Sequence, residues 1–227
     1  MKSAFHYVFS KTLPIFAGFL FLGFSYGVYA VANGFAPIYP ILMALFIYAG
    51  SMEFLTISLL LSVYNPVMAF LLTLMVNARH LFYGLAMLEP FKSLDWKKYY
   101  IIYGMCDESF SLNVNLEIPD GIDRGWAYFH ITWLNQLYWV GATALGALLG
   151  QHIPFDLTGI EFVLNALFLV LLLEQWLTSR QHVATGIGLA CSILCLYFFG
   201  AAQFMIPAMI AMLILFALLF KKGGHDN

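Results

Sequence analysis

The side chains of this 227-residue chain that could do chemistry sit largely inside long apolar runs. Glu53 lies in Tyr48-Ala49-Gly50-Ser51-Met52-Glu53-Phe54, and Asn77, Arg79 and His80 belong to Asn-Ala-Arg-His late in a run that opens at Pro66. Asp107 and Glu108 begin Asp-Glu-Ser-Phe, and Gln203 sits in Phe199-Gly200-Ala201-Ala202-Gln203-Phe204. Ionisable groups within apolar segments are costly, and they usually line a cavity or a pathway. The types present suit solute recognition and proton exchange. An arginine grips a carboxylate through two parallel bonds. A histidine titrates near neutrality and relays protons. A carboxyl in apolar surroundings exchanges a proton or holds an ammonium group. Gly50-Ser51 loosens a helix just ahead of Glu53 and frees backbone groups for a ligand.

Each position also has a plainer reading. Glu53 is then a neutral acid bonded to a neighbouring helix, and Arg79 snorkels to an interface. His80 becomes a satisfied structural histidine, and Asp107-Glu108 a loop edge with one acid free to pair with Arg79. Asn135, Gln136 and Trp139 read as helix-to-helix contacts, and Glu174, Gln175 and Trp176 as an interfacial anchor.

The elements that must position these groups follow from composition. Hydrophobic residues make up 62% of the chain and charged residues 10%, where a soluble domain carries about a quarter charged residues. Membrane helices of about 20 residues are the natural unit, and helices satisfy their own backbone in lipid. The runs are about 13–33, 37–65, 66–88, 126–149 and 158–178, with a longer one over 183–220 that Gly200 and Pro207 divide. Residues 99–115 are a weaker span, interrupted by Asp107 and Glu108. The expectation is an all-α, polytopic transmembrane bundle of roughly seven or eight helices in one transport domain. The first run is long for a signal peptide and reads as a retained helix. Cys106, Cys191 and Cys195 read as small buried hydrophobes rather than a disulfide framework.

Lys and Arg placement favours a cytoplasmic N-terminus. With eight spans this leaves Lys92, Lys97 and Lys98 on the outer side, in conflict with the rule. Gly23 and Gly27, and Ala142, Gly146 and Gly150, are small residues at intervals of four that let helix backbones approach closely. Ala44-Leu45-Phe46 leading to Glu53-Phe54-Leu55-Thr56 is echoed by Ala166-Leu167-Phe168 leading to Gln175-Trp176-Leu177-Thr178. The echo suggests repeat halves 12–88 and 126–220, parallel if 99–115 crosses and inverted if it does not. Transporters are commonly built this way, with the substrate between the halves. GxxxxGK[ST], HExxH, paired-Cys and GxSxG motifs are all missing, so neither ATP hydrolysis by a P-loop, nor zinc, nor a serine hydrolase is indicated. No cofactor is implied, and no basic patch points to nucleic acid.

Four segments carry a resemblance to a known family: Gly23–Ala30, Ala49-Gly50-Ser51-Met52-Glu53-Phe54, Asn77-Ala78-Arg79-His80-Leu81-Phe82-Tyr83-Gly84 and Cys106-Asp107-Glu108-Ser109-Phe110. Together the chain resembles the AzlC family of branched-chain amino acid permeases over most of its length. The resemblance implies the large subunit of an exporter of leucine, isoleucine, valine and related amino acids. It also implies a small AzlD-type membrane partner and a multi-pass location in the inner (plasma) membrane. Members of that family often carry Gln where this chain has Glu53.

The expected activity is therefore proton-coupled secondary export of an apolar amino acid, without enzymatic chemistry. Arg79, or backbone freed near Gly50, takes the substrate carboxylate. Asp107 or Glu53 takes the ammonium. Glu53, or failing it His80, couples the proton. Asn77, Glu108 and Gln203 complete the candidate set. The alternatives are an ion channel or a carrier for another solute, an intramembrane enzyme using His80 with Asp107 or Glu108, and a scaffold for the partner.

Overall fold

A computed structural model describes residues 2–63, 65–77, 79–152 and 182–200, with isolated positions between 169 and 215. Regular structure among the described residues is helical throughout. The chain forms two compact units, Met1–Leu164 and Asn165–Asn227.

The first unit contains α1 (Lys2–Ala32), α2 (Ile38–Phe46), α3 (Gly50–Leu61), α4 (Pro66–Val76), α5 (Arg79–Ala86), α6 (Leu88–Lys92), α7 (Lys97–Tyr103), α8 (Asp107–Asn115) and α9 (Arg124–Gly150). In the second unit α10 (Val183–Phe199) stops at Gly200, whose φ of 72° suits glycine. The break expected near Gly200 is therefore present. Gln203 and the second half of the proposed long repeat fall largely outside the described residues.

Two long helices frame the first unit. α1 and α9 run parallel: Phe5 packs on His130 at 5.6 Å, Thr12 meets Tyr138 at 3.1 Å, and Gly150 lies against Val28. The small residues sit at this crossing. A Cβ added at Gly146 would stand 2.1 Å from the Phe24 carbonyl oxygen, and one at Gly27 would stand 2.3 Å from that of Thr143. Without a hydrophobic force between helices in lipid, such close backbone contact is what holds them together.

Two helical hairpins enter this frame from opposite ends. α2 descends beside α1, and α3 turns back: Glu53 meets Trp139, Phe54 meets Tyr26, and Ser58 meets the Tyr29 hydroxyl. α7 enters from the other end alongside α9, with Lys97 beside Gly125, Tyr100 beside Phe129 and Gly104 beside Thr132. α8 then returns, taking Ser109 at Asn135 down to Glu117, whose carbonyl accepts from the Tyr7 hydroxyl. Neither 37–65 nor 99–115 is a single traverse, as the apolar runs suggested. Each reverses at a short break. In the first, Tyr48 takes a left-handed φ of 47°. In the second, Gly104 fits against Thr132, where a Cβ would stand 2.3 Å from the methyl carbon.

Between the hairpins, α4 and α5 form a helix pair bent by 43° that leads from the outer end of α3 to α6 beside Tyr128. The pattern is thus a long element and a hairpin, then a second long element and a hairpin of opposite direction. Among the described residues, Ala4–Ala32 is long and apolar enough to cross a membrane, and the bent α4–α5 pair would be a second, broken span. Apolar side chains cover the outer surface. Phe21, Phe70, Leu81 and Leu85 are each 65–66% exposed, more than a water-facing surface of a monomer tolerates in quantity.

Candidate polar centre

The site is built where the helices break. α3 begins at Gly50 and α8 at Asp107, each after a short break, and α5 begins at Arg79 just beyond the turn at Asn77 that follows α4. An N-terminus leaves backbone N–H groups without intrahelical partners and carries a partial positive charge. Acids in the first turn are favoured there, which is where Glu53, Asp107 and Glu108 stand.

Arg79 joins all three breaks. Its Nη1 lies 2.7 Å from Asp107 Oδ2, and its Nη2 donates to Ser51 Oγ at 3.1 Å. Tyr83, one turn further along α5, donates its hydroxyl to Asp107 Oδ1 at 2.8 Å. Asp107 is therefore the acid that pairs with Arg79, one of the two the sequence offered. Arg79 Nε is buried without a partner among the described residues. The pair is partly exposed, with side-chain exposures of 32% and 21%.

Glu53 is separate from this pair. It is fully buried, accepts from the Ala49 N–H at 2.9 Å, and accepts from the Trp139 indole N–H at 3.2 and 3.1 Å on its two oxygens. The Trp139 ring also closes over Gly50, where a Cβ would meet it at 3.0 Å. No cation pairs with Glu53 among the described residues.

The carbonyls released where α2 ends are satisfied from outside. Tyr103 donates to the Leu45 and Phe46 oxygens at 2.9 and 3.0 Å, and Gln136 donates to Leu45 at 3.0 Å. α3 begins at Gly50, and side chains already hold the carbonyls on the α2 side.

The remaining candidates divide. Asn77 and His80 line an apolar groove of about 1310 Å³ with Phe70, Leu74 and Leu85, and His80 Nδ1 lies 3.1 Å from the Asn77 carbonyl. His80 packs edge-on against Tyr83 at 5.5 Å and so adjoins the Arg79 pair, whereas no contact joins either residue to Glu53 among the described residues. Glu108 is half-buried near Cys106. Cys106 is not merely a hydrophobe: its sulfur sits 3.2 Å from Ser109 Oγ and 3.7 Å from the Tyr48 hydroxyl. Asn135 donates to the same Ser109 oxygen at 3.0 Å.

Sequence reasoning assigned no role to Ser51, Tyr83 or Tyr103. Tyr83 could have been found from its spacing of four after Arg79, which puts both on one helix face. Nothing in the spacing announced Tyr103, because its partners lie 57 and 58 positions away.

An apolar exterior wrapped around broken helices and a partly exposed ion pair defines an integral membrane protein with a polar centre. Residues 14–153 match the family model described as AzlC protein. The chain is 48% identical over 219 residues to the branched-chain amino acid transport protein AzlC of Bacillus subtilis, covering 96% of this chain and 86% of that protein. It is 41% identical to an uncharacterized membrane protein of Haemophilus influenzae, covering 94% and 88%. It is 26% identical to the inner membrane protein YgaZ of Escherichia coli, covering 77% and 74%. No solved structure matches. The chain belongs to the AzlC family.

Proposed function

We propose that this chain is the large subunit of a secondary exporter for branched-chain and other apolar amino acids, driven by protons and working with a small AzlD-type membrane partner. The observation that carries the reading is the Arg79–Asp107 pair at the meeting point of three half-helix N-termini. Substrate and ion sites of secondary transporters are built from discontinuous helices near the bilayer midplane, with N-termini facing anionic groups.

An amino acid is a zwitterion, and it fits an ion pair that can open. Its carboxylate takes the Arg79 guanidinium, helped by the N-termini of α3 and α8. Its ammonium takes the released Asp107, which Tyr83 keeps in place. Charge is conserved at every point, so opening the pair leaves no isolated buried charge. The apolar groove beside Asn77 and His80 suits the substrate's side chain. Glu53, buried and without a cation among the described residues, is the proton carrier.

The hairpin geometry also favours a topology in the inner (plasma) membrane. With 37–65 and 97–115 read as re-entrant hairpins, residues 2–152 hold three traverses: α1, the α4–α5 pair and α9. This places the start of α1, the loop at 92–98 and Arg124 at one end, where Lys97 lies over Trp126 at 5.0 Å and Lys11 over Tyr7 at 5.2 Å. The basic residues then share the cytoplasmic side, and the conflict in the linear reading disappears.

The test is efflux of labelled leucine from cells lacking their own exporters. It is run with this chain alone, with its small partner, and with both plus a protonophore. Efflux that needs both chains and collapses with the proton gradient is the expected result. No leucine efflux with both proteins in the membrane removes the amino acid assignment.

A further inference from the structure

α9 presents a stripe of polar side chains toward the hairpins. Trp139 holds Glu53, and Asn135 lies one turn toward the α9 N-terminus and holds Ser109. Ser109 and Asn113 are four apart on α8, so they share a face about one turn apart. Asn135 is fully buried and its Oδ1 has no partner among the described residues. Asn113 is 2% exposed, and neither its Nδ2 nor its Oδ1 has one there. Buried polar groups are almost always hydrogen-bonded, to ordered water where the protein supplies no partner. A buried amide with all its groups unpaired therefore points to a small ligand offering both donors and acceptors. Water meets that description.

The direction of the stripe gives it a use. From Glu53 it passes Trp139, then Asn135 with Ser109, then Asn113. Two residues beyond Asn113, α8 ends at Asn115 and the chain enters the exposed stretch at Glu117, Pro119 and Asp120. The Arg79–Asp107 pair is not on this line.

We propose that the seam between α8 and α9 holds a file of ordered water, bound by Asn135, Ser109 and Asn113, that carries the coupling proton between Glu53 and the loop at 116–123. This rests on the reading of Glu53 as the proton carrier. On release, the carboxyl O–H bond breaks and the adjoining water takes the proton. Successive waters pass it on, and bulk water at the loop receives it. The carboxylate left behind keeps its Ala49 and Trp139 donors. Uptake runs the same steps in reverse. The titratable side chains facing Glu53 are Tyr26 from α1 and Tyr103 from α7, and Cys106, which Tyr48 and Glu108 adjoin, shares Ser109 with Asn135. Substrate and proton then have separate routes that meet only near the helix breaks.

Two measurements on the full chain, with its small partner, test this. The first is an experimental structure in lipid at a resolution that shows ordered water. Density between Asn113, Ser109 and Asn135 is expected, and a dry seam with the amides turned onto protein groups overturns the proposal. The second compares leucine transport by the wild type, Asn113→Leu and Asn113→Ser in proteoliposomes. Leucine closes the gap with an apolar group of similar size, whereas serine keeps a polar group and leaves room for water. Asn113→Leu is expected to lower proton-driven transport about tenfold, with leucine-for-leucine exchange retained and Asn113→Ser close to wild type. Retained exchange also shows that the variant folds. Proton-driven transport by Asn113→Leu at the wild-type rate overturns the route. A wild-type protein that exchanges leucine but ignores the gradient sinks the proton-coupled reading itself, while the water density reports on the seam independently.

Discussion

Arg79 and Asp107 are each the first residue of a half-helix, and their side chains meet at 2.7 Å. Two helix starts, 28 residues apart in the chain, are thus fastened by one charge-assisted contact. The same guanidinium reaches Ser51 at the start of a third helix. A lysine carries one point charge and cannot serve two partners in a fixed plane. Arg79→Lys is expected to assemble normally and to lose about tenfold or more of leucine transport. Wild-type transport by Arg79→Lys or Arg79→Ala at equal expression would remove Arg79 from the site.

Asp107→Asn separates binding from folding. The amide oxygen still accepts from Arg79 and the amide N–H donates to the Tyr83 hydroxyl oxygen, so the three helix starts remain close. A substrate ammonium loses its counter-charge. The expected result is a rise of about tenfold or more in the leucine concentration needed for half-maximal transport, a loss typical of a charge-assisted bond. An unchanged concentration dependence would place the ammonium elsewhere.

Glu53→Gln keeps an oxygen for the Ala49 and Trp139 donors and removes the titrating proton. Exchange of leucine across the membrane should survive, while accumulation against a gradient driven by pH should fail. If the Gln variant still responds to the pH gradient, the proton moves through another group.

Trp139→Phe tests the support of Glu53. The buried carboxyl keeps only the Ala49 donor, at a cost of about 1–3 kcal/mol. A lower melting temperature in detergent is expected, and Glu53→Leu in the same background should recover part of it. No recovery would show that the indole acts by packing on Gly50 rather than by its N–H.

The α1–α9 crossing gives the plainest stability test. Gly146→Val puts side-chain atoms where the Phe24 carbonyl already stands, and over-packing of this kind costs about 1–3 kcal/mol or more. Gly141→Val, on the same helix but with open space around it, is the control and should melt close to the wild type. Equal melting points would mean that the close crossing does not hold the unit together.

The membrane class, the small-residue faces and the breaks at Gly50 and Gly200 were legible in the sequence because each rests on a local signal. Glu53, Arg79 and Asp107 stood out as charges in apolar runs, and the contact of Arg79 with Asp107 was one of the pairings they offered. The course of the chain was not. An apolar stretch of about 17 to 29 residues fits a single span or two half-length helices equally well by composition, and 37–65 and 99–115 are both the second kind. One trace of the repeated hairpin was present but unused: Tyr48 and Glu53 are spaced as Tyr103 and Glu108 are. The separation of Glu53 from the Arg79 pair was also beyond reach, because it depends on which side of the break Trp139 occupies.

The parallel crossing of α1 and α9 also bears on how the protein is made. Thr12 finds Tyr138 only after 126 further positions have been translated, roughly 6–25 s at ordinary elongation rates. Until then the glycine face of α1 has no partner in the lipid, and both hairpins lack the wall they lean on. Early products of synthesis should therefore be open to proteases and to retention by membrane chaperones, with protection arriving in one step once the chain has passed Gly150.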